Sequence, residues 1–142
     1  MKKLLVIIYL LAFTTTIEAQ EIFGQWKTID DKTGEAKSVV EIYKKDGQVF
    51  GKIIDIMDAS KKDLPCIECG GEDYNKPILG LDIIKNMEKE GEYYRKGTII
   101  DPRNGKIYKL RLALDEDNSN LLQVRGYIGF FYATQYWERV KS

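Results

Sequence analysis

The sequence predicts an all-β protein, an antiparallel meander of about eight strands that closes into a barrel. The first observation behind this is a period of two in the apolar residues. Leu122, Val124, Gly126 and Ile128 alternate with Gln123, Arg125 and Tyr127, and Tyr108, Leu110, Leu112 and Leu114 alternate with Lys109, Arg111 and Ala113. Each such segment has one face to bury. The second is the regular return of turn material: DDKTGE from Asp30, KKDGQ from Lys44, KEGE from Lys89, DPRNGK from Asp101 and DEDNSN from Asp115, with Asp46-Gly47 and Asn104-Gly105 favouring hairpins. The third is continuity, since no Pro- or Ser-rich linker, internal repeat or low-complexity tract divides the chain.

Together these mark strands at roughly 22–29, 37–44, 48–57, 78–84, 92–100, 106–114, 121–130 and 134–141. The fourth is ambiguous. In ILGLDIIKNMEKE, the spacing of Ile78, Leu81, Asp82 and Ile84 also suits the start of a short helix, and strand is preferred only narrowly. Short turns join successive strands, and a meander of this length closes on itself or pairs into a sandwich to hide its two edges.

Met1, Lys2 and Lys3, an apolar run from Leu4 to Phe13, and then TTTIEAQ have the three-part layout of a secretory signal peptide. The apolar run is shorter than the ~20 residues that span a bilayer. Cleavage after Ala19 is the expectation, which divides the chain into a signal peptide, 1–19, and a single β-barrel domain, 20–142. No cysteine follows the run to carry a lipid, so the product is expected to be secreted or periplasmic, with no stable membrane anchor. Cleavage turns 22 basic residues into 20 and 22 acidic residues into 21, a net charge of −1. So even a balance gives no electrostatic reason to expect nucleic acid or an anionic membrane as partner.

Histidine is absent from the chain. Ser-His-Asp and Cys-His devices and a histidine-bound zinc are therefore excluded, and no metal or other cofactor is expected. Asp55, Asp58, Glu68, Glu72 and Asp73 are carboxylates near one another in sequence, but a solvated loop explains them as well as an acid–base pair does. The only cysteines, Cys66 and Cys69, lie in DLPCIECGGEDYNKPILGL. A redox pair needs a helix N-terminus and positive surroundings, whereas Asp63, Glu68, Glu72 and Asp73 disfavour a thiolate. In an oxidising compartment a disulfide stapling the loop is the preferred reading; a redox pair and a metal site stay as alternatives.

Gly24-Gln25-Trp26 near the start of the domain and Trp137-Glu138-Arg139 near its end resemble the floor of lipocalin-like barrels, where an indole closes the barrel and a late arginine packs over it. The resemblance assigns Trp26 to the indole role and Arg139, with Arg125 as the weaker choice, to the cover. The order of IFGQWKTIDDKTGEAKSVVEIYKKDG, the cysteine pair with NKPILGLDII, DPRNGKIYKLRLAL and VRGYIGFFYATQYWERV is similar to the bacterial secreted family catalogued as domain of unknown function 2147. Membership implies a signal peptide, a lipocalin-like (calycin-like) barrel and an envelope or secreted location, and no known activity.

On such a barrel the alternation points Tyr108, Leu110, Leu112, Val124 and Ile128 inward, with Phe50 and Ile54 on the third strand. These residues either fill a core or line a pocket for a small hydrophobic molecule. The long 59–76 loop is expected to act as a lid, and Tyr127, Tyr132 and Tyr136 to offer polar tips at a rim. Two functions follow: a carrier or sensor of a small hydrophobic ligand, or an envelope interaction module that uses Phe130, Phe131 and Tyr132 or the cysteine loop against a partner protein. No catalytic residue is assigned.

Overall fold

The computed structural model describes residues 21–141. The signal-peptide expectation for residues 1–19 lies outside them.

Eight strands form one closed antiparallel barrel in sequence order: β1 (Gly24–Ile29), β2 (Ala36–Lys45), β3 (Gln48–Ile56), β4 (Asp82–Glu90), β5 (Tyr93–Asp101), β6 (Lys106–Leu114), β7 (Leu121–Ile128) and β8 (Phe131–Arg139). Closure pairs β1 with β8 through Trp26–Arg139 and Lys27–Glu138, which covers only part of the two edges that an open meander would leave. Seven strands fall close to their expected places. β4 is the exception, starting four residues late and running through the charged stretch to Glu90. Gly80 at φ +94° turns the chain before it, and the helical alternative for this segment is not adopted. Met87 keeps the strand amphipathic: it is fully buried opposite Val49, while Asn86 at φ +60° absorbs a bulge beside it. β8 starts three residues early because Gly129, at φ +55°, and Phe130 form a two-residue turn closed by the Ile128–Phe131 pair.

The fully buried inner side chains include Trp26, Val40, Ile42, Ile84, Met87, Leu112 and Leu122. One end of the barrel carries the β2–β3, β4–β5 and β6–β7 turns and both ends of the domain; the other carries the long β3–β4 loop and the β1–β2, β5–β6 and β7–β8 turns. The first end is plugged, and the second bears most of the exposed large apolar side chains: Met57, Leu64, Ile67, Tyr74, Leu79, Ile107, Ile128, Phe130, Phe131 and Tyr132.

Candidate functional site

The floor of the barrel assembles around Trp26. Its indole is fully buried and donates through Nε1 to the Ile22 carbonyl at 2.8 Å. The Arg139 guanidinium lies 4.3 Å from the ring, a cation on a π face. Its Nη2 donates to the Glu21 and Ser119 carbonyls at 3.0 and 3.1 Å and its Nη1 to the Phe23 carbonyl at 3.3 Å, so one side chain ties the first segment to the β6–β7 turn. Burial lowers the pKa of this guanidinium. Gly24 starts β1 at φ +118°, a conformation L side chains rarely adopt. Gly24, Trp26 and Arg139 thus meet as expected, and Arg125 is elsewhere, over the Tyr132 ring on the outer wall at 4.5 Å.

Above the floor the inner wall changes character. Leu110, Leu112 and Val124 are buried in its packed part, together with Val40, Ile42 and Ile84. Tyr108 is half-buried, and Ile128, on the same face of its sheet, is exposed at the open end. On β8 the inward positions are Phe131, Ala133, Gln135 and Trp137, which pair with Ile128, Gly126, Val124 and Leu122. Trp137 is buried, whereas Ala133 and Phe131 are exposed although they face the interior. The inward-facing apolar positions on the β6–β7–β8 side of the mouth, the cup, are therefore exposed to solvent. On β1 and β2, next to β8 in the barrel, the Thr28 and Ser38 hydroxyls bond each other at 2.7 Å. Gly126 widens the cup: a Cβ there would stand 3.5 Å from that of Tyr108, an ordinary contact that a side chain could fill.

Two of the residues expected inside are not. Phe50 is half-buried on the outer face, stacked on Tyr43 at 5.9 Å between centroids. Ile54 is the extra residue of a β-bulge and is also only half-buried, because Val39 pairs with Asp55 and Val40 with Ile53. The inward residues of β3 are Val49, Gly51 and Ile53. Lys52 stands on the face of Phe50 and Ile54 and so points that face outward, but VFGKII is otherwise apolar on both faces. Gly51 is the signal that was missed: a Cβ on it would come within 2.9 Å of Ile84, so this position lies in the packed interior.

The cysteine loop is stapled as expected, with Cys66 and Cys69 joined by a disulfide and both buried. Cys66 N–H donates to the Lys76 carbonyl at 2.7 Å, Asn75 N–H to the Cys66 carbonyl at 2.9 Å, and Ile78 N–H to the Leu64 carbonyl at 3.0 Å. The loop is seated on the β5–β6 turn, where Cys66 Sγ lies 3.6 Å from the Pro102 carbonyl. A Cβ on Gly105 would fall 1.9 Å from the Glu68 carbonyl oxygen, so only glycine permits this approach. Asp73, nearly buried, pairs with Lys85 and, at 3.6 Å, with Lys76. The loop is a fixed rim on this side of the mouth and leaves the β7–β8 side uncovered, as the exposure of Ile128, Phe131 and Ala133 shows.

Asp55, Asp58 and Asp73 are engaged in structural contacts. Asp55 pairs with Lys62 at 3.4 Å, and Asp58 accepts from the Ser60 hydroxyl at 2.6 Å and N–H at 3.0 Å, which holds its pKa below the usual carboxylate range. Among the described residues no group of three or more Cys, Asp or Glu could hold a metal ion.

Tyr127, Tyr132 and Tyr136 take no part in the cup. They stand on the outer wall, where Arg111 and Arg95 flank Tyr93 at 4.5 and 4.9 Å. A shallow recess of about 390 Å³ lies there among Tyr93, Arg111, Asp115 and Arg125, and another of about 280 Å³ lies near the plugged end among Glu21, Phe23, Lys44 and Lys89. Both linings are mixed in charge, unlike the apolar cup.

Residues 24–139 match the family model for uncharacterized proteins conserved in bacteria (DUF2147). A solved structure similar to this chain is protein HP1028 from Helicobacter pylori, described as belonging to the lipocalin family. It has a TM-score of 0.73 at 20% identity, covering 87% of this chain and 85% of that one. A likeness at that identity concerns the fold. No curated protein matches the sequence.

Proposed function

Since the chain belongs to the DUF2147 family of uncharacterized bacterial proteins and folds as a lipocalin-like barrel, we propose that it binds a small hydrophobic molecule in the open cup and acts outside the cytoplasm as a carrier or sensor. The observation that carries this reading is the change along the inner wall: side chains fill the barrel above the Trp26 floor, and the same faces then become solvent-exposed apolar surface at Tyr108, Ile128, Phe131 and Ala133. Apolar surface in a concave, partly walled site favours an apolar ligand by roughly 25 cal/mol per Å² removed from water. The packed lower part limits the guest to a small molecule. The Tyr108 hydroxyl and the Thr28–Ser38 pair offer polar atoms that orient one polar group. The role is binding rather than catalysis, a reading supported by the lack of histidine and by the structural engagement of the loop carboxylates. The signal-peptide pattern and the disulfide support a secreted or periplasmic location.

Native mass spectrometry of the protein purified from an envelope fraction tests this. A small non-covalent adduct lost on denaturation is the expected result, and bare protein that also fails to take up added fatty acids or other small apolar molecules contradicts it. A second reading, an envelope interaction module, rests on Phe130, which is fully exposed at the tip of the β7–β8 turn. Phe130→Ser separates the two, since it would abolish partner binding and leave uptake into the cup unchanged.

A further inference from the structure

The barrel is closed unevenly. β1 pairs with β8 only through Trp26 with Arg139 and Lys27 with Glu138, and β1 ends at Ile29. From Phe131 to Tyr136, β8 has β7 on one side and, among the described residues, no paired strand on the other. The alternation of an antiparallel ladder shows which backbone groups this leaves free. Arg139 N–H donates to Asn120 on the β7 side at 2.8 Å, and Val140 N–H donates to Gln25 on the β1 side at 2.9 Å. Counting back by twos, the odd positions 131–137 bond to β7, and the N–H and C=O groups of Tyr132, Thr134 and Tyr136 face the open side.

Exposed edges of this kind are usually blunted by a lysine, a proline or a bulge. This one has none, and the chain carries no charge from Gly126 to Trp137. The edge is also symmetric in residue type: Phe131-Tyr132-Ala133-Thr134-Gln135-Tyr136-Trp137 reads aromatic, Tyr, x, Thr, x, Tyr, aromatic in either direction about Thr134. In an isologous contact each element meets its own copy reversed, so this order sets like residue types opposite one another. We infer that β8 is a self-pairing edge, which joins two copies of this chain through an antiparallel β8–β8 ladder with its two-fold axis at Thr134. Tyr132 of each copy then stands opposite Tyr136 of the other, and Thr134 opposite Thr134. The aromatic and threonine cross-strand pairs are of the kinds that stabilise antiparallel sheets; Arg125, which donates to the Thr134 hydroxyl at 2.9 Å and lies over the Tyr132 ring, flanks the axis from β7 in each copy. The ladder spans only the stretch that β1 leaves unpaired.

Sedimentation velocity over a concentration series, together with single cysteines in the otherwise intact protein, tests the pairing. In a hydrogen-bonded antiparallel pair the opposing Cα atoms are ~5.5 Å apart, within disulfide reach. The expected result is a concentration-dependent dimer, with Thr134→Cys forming a disulfide-linked dimer on oxidation. Tyr132→Cys or Tyr136→Cys alone should link no better than Lys45→Cys, an exposed position at the end of β2, whereas the Tyr132→Cys/Tyr136→Cys double variant should link efficiently. Thr134→Lys, which places two charges on the axis, should weaken the dimer by about tenfold or more while circular dichroism stays unchanged. A single monomeric species at every concentration, or Tyr132→Cys alone linking as well as Thr134→Cys, overturns the inference.

Discussion

Truncating Arg139 to alanine should unfasten the floor of the barrel. The side chain donates to three backbone carbonyls, on Glu21, Phe23 and Ser119, and covers the Trp26 ring. A hydrogen bond from a charged donor contributes about 1.5–3 kcal/mol, and a partly desolvated cation–π contact about 1 kcal/mol. These do not add, because the three bonds share one guanidinium and water can replace the partner of the exposed Glu21 carbonyl. A net loss of about 3 kcal/mol follows once that sharing is allowed for. With a urea slope of ~1.5 kcal/mol/M, the unfolding midpoint should fall by ~2 M, and the melting temperature by roughly 10 °C. Trp26 and Trp137 are both buried, so intrinsic fluorescence reports the transition. Arg139→Lys keeps the charge but not the planar fork, and should recover about half of the loss. A midpoint shift below about 0.3 M for Arg139→Ala would mean that Trp26 is held by packing alone, and would refute the reasoning.

Other outcomes are expected elsewhere. Gly105→Ala should destabilise by about 2 kcal/mol or more and expose the cysteine loop to proteolysis, since a Cβ cannot coexist with the Glu68 carbonyl and the residue sits at φ +72°; wild-type stability in a urea titration would contradict this. Reducing Cys66–Cys69 removes the entropy constraint of a short ring, worth about 2 kcal/mol at most, so the barrel should stay folded by circular dichroism while cleavage near Ile67 accelerates. Acid should destabilise. The Lys32 and Thr33 N–H groups lower the Asp30 pKa and Ser60 lowers that of Asp58. Burial alone would raise the Asp101 carboxyl, but Arg103 holds it below its usual value. The unfolded chain then binds more protons, so stability present above pH ~4 is lost as pH falls through and below that value. With no histidine to titrate, urea midpoints should be flat between pH ~5 and ~8, and a step in that window would contradict the assignment.

Strands whose two faces differ in polarity were legible from the sequence. β6 and β7 alternate cleanly, and their inward residues Leu110, Leu112 and Val124 are buried. β3 has large apolar residues on both faces, with Gln48 and Lys52 the only polar marks on the side of Phe50, so periodicity signalled its phase weakly, and the phase depends on the bulge at Ile54 and the close approach of Gly51 to Ile84. β4 was misplaced because its outward residues are charged and its inward pattern is broken by the Asn86 bulge. The floor was readable through the resemblance of Gly24-Gln25-Trp26 and a late arginine to lipocalin-like floors, which preferred Arg139 but left Arg125 open. The cup was half readable: Tyr108 and Ile128 were named, but the β8 residues that complete it, Phe131 and Ala133, were hidden by placing the last turn two residues late. The rim geometry depends on Gly105 meeting Glu68 across the barrel end, a tertiary contact between residues 37 apart with no local signature.

The cup itself is most directly tested by titrating the mature protein with a neutral naphthylamine fluorophore whose emission rises in apolar surroundings, alongside Ala133→Trp, which fills the cup from its open wall. A saturable increase with one site per chain, weakened at least about tenfold in the variant at unchanged circular dichroism, is the predicted result; that ratio is about 1.4 kcal/mol of lost affinity. Non-saturating emission, or equal affinity in the two proteins, would contradict ligand binding in the cup.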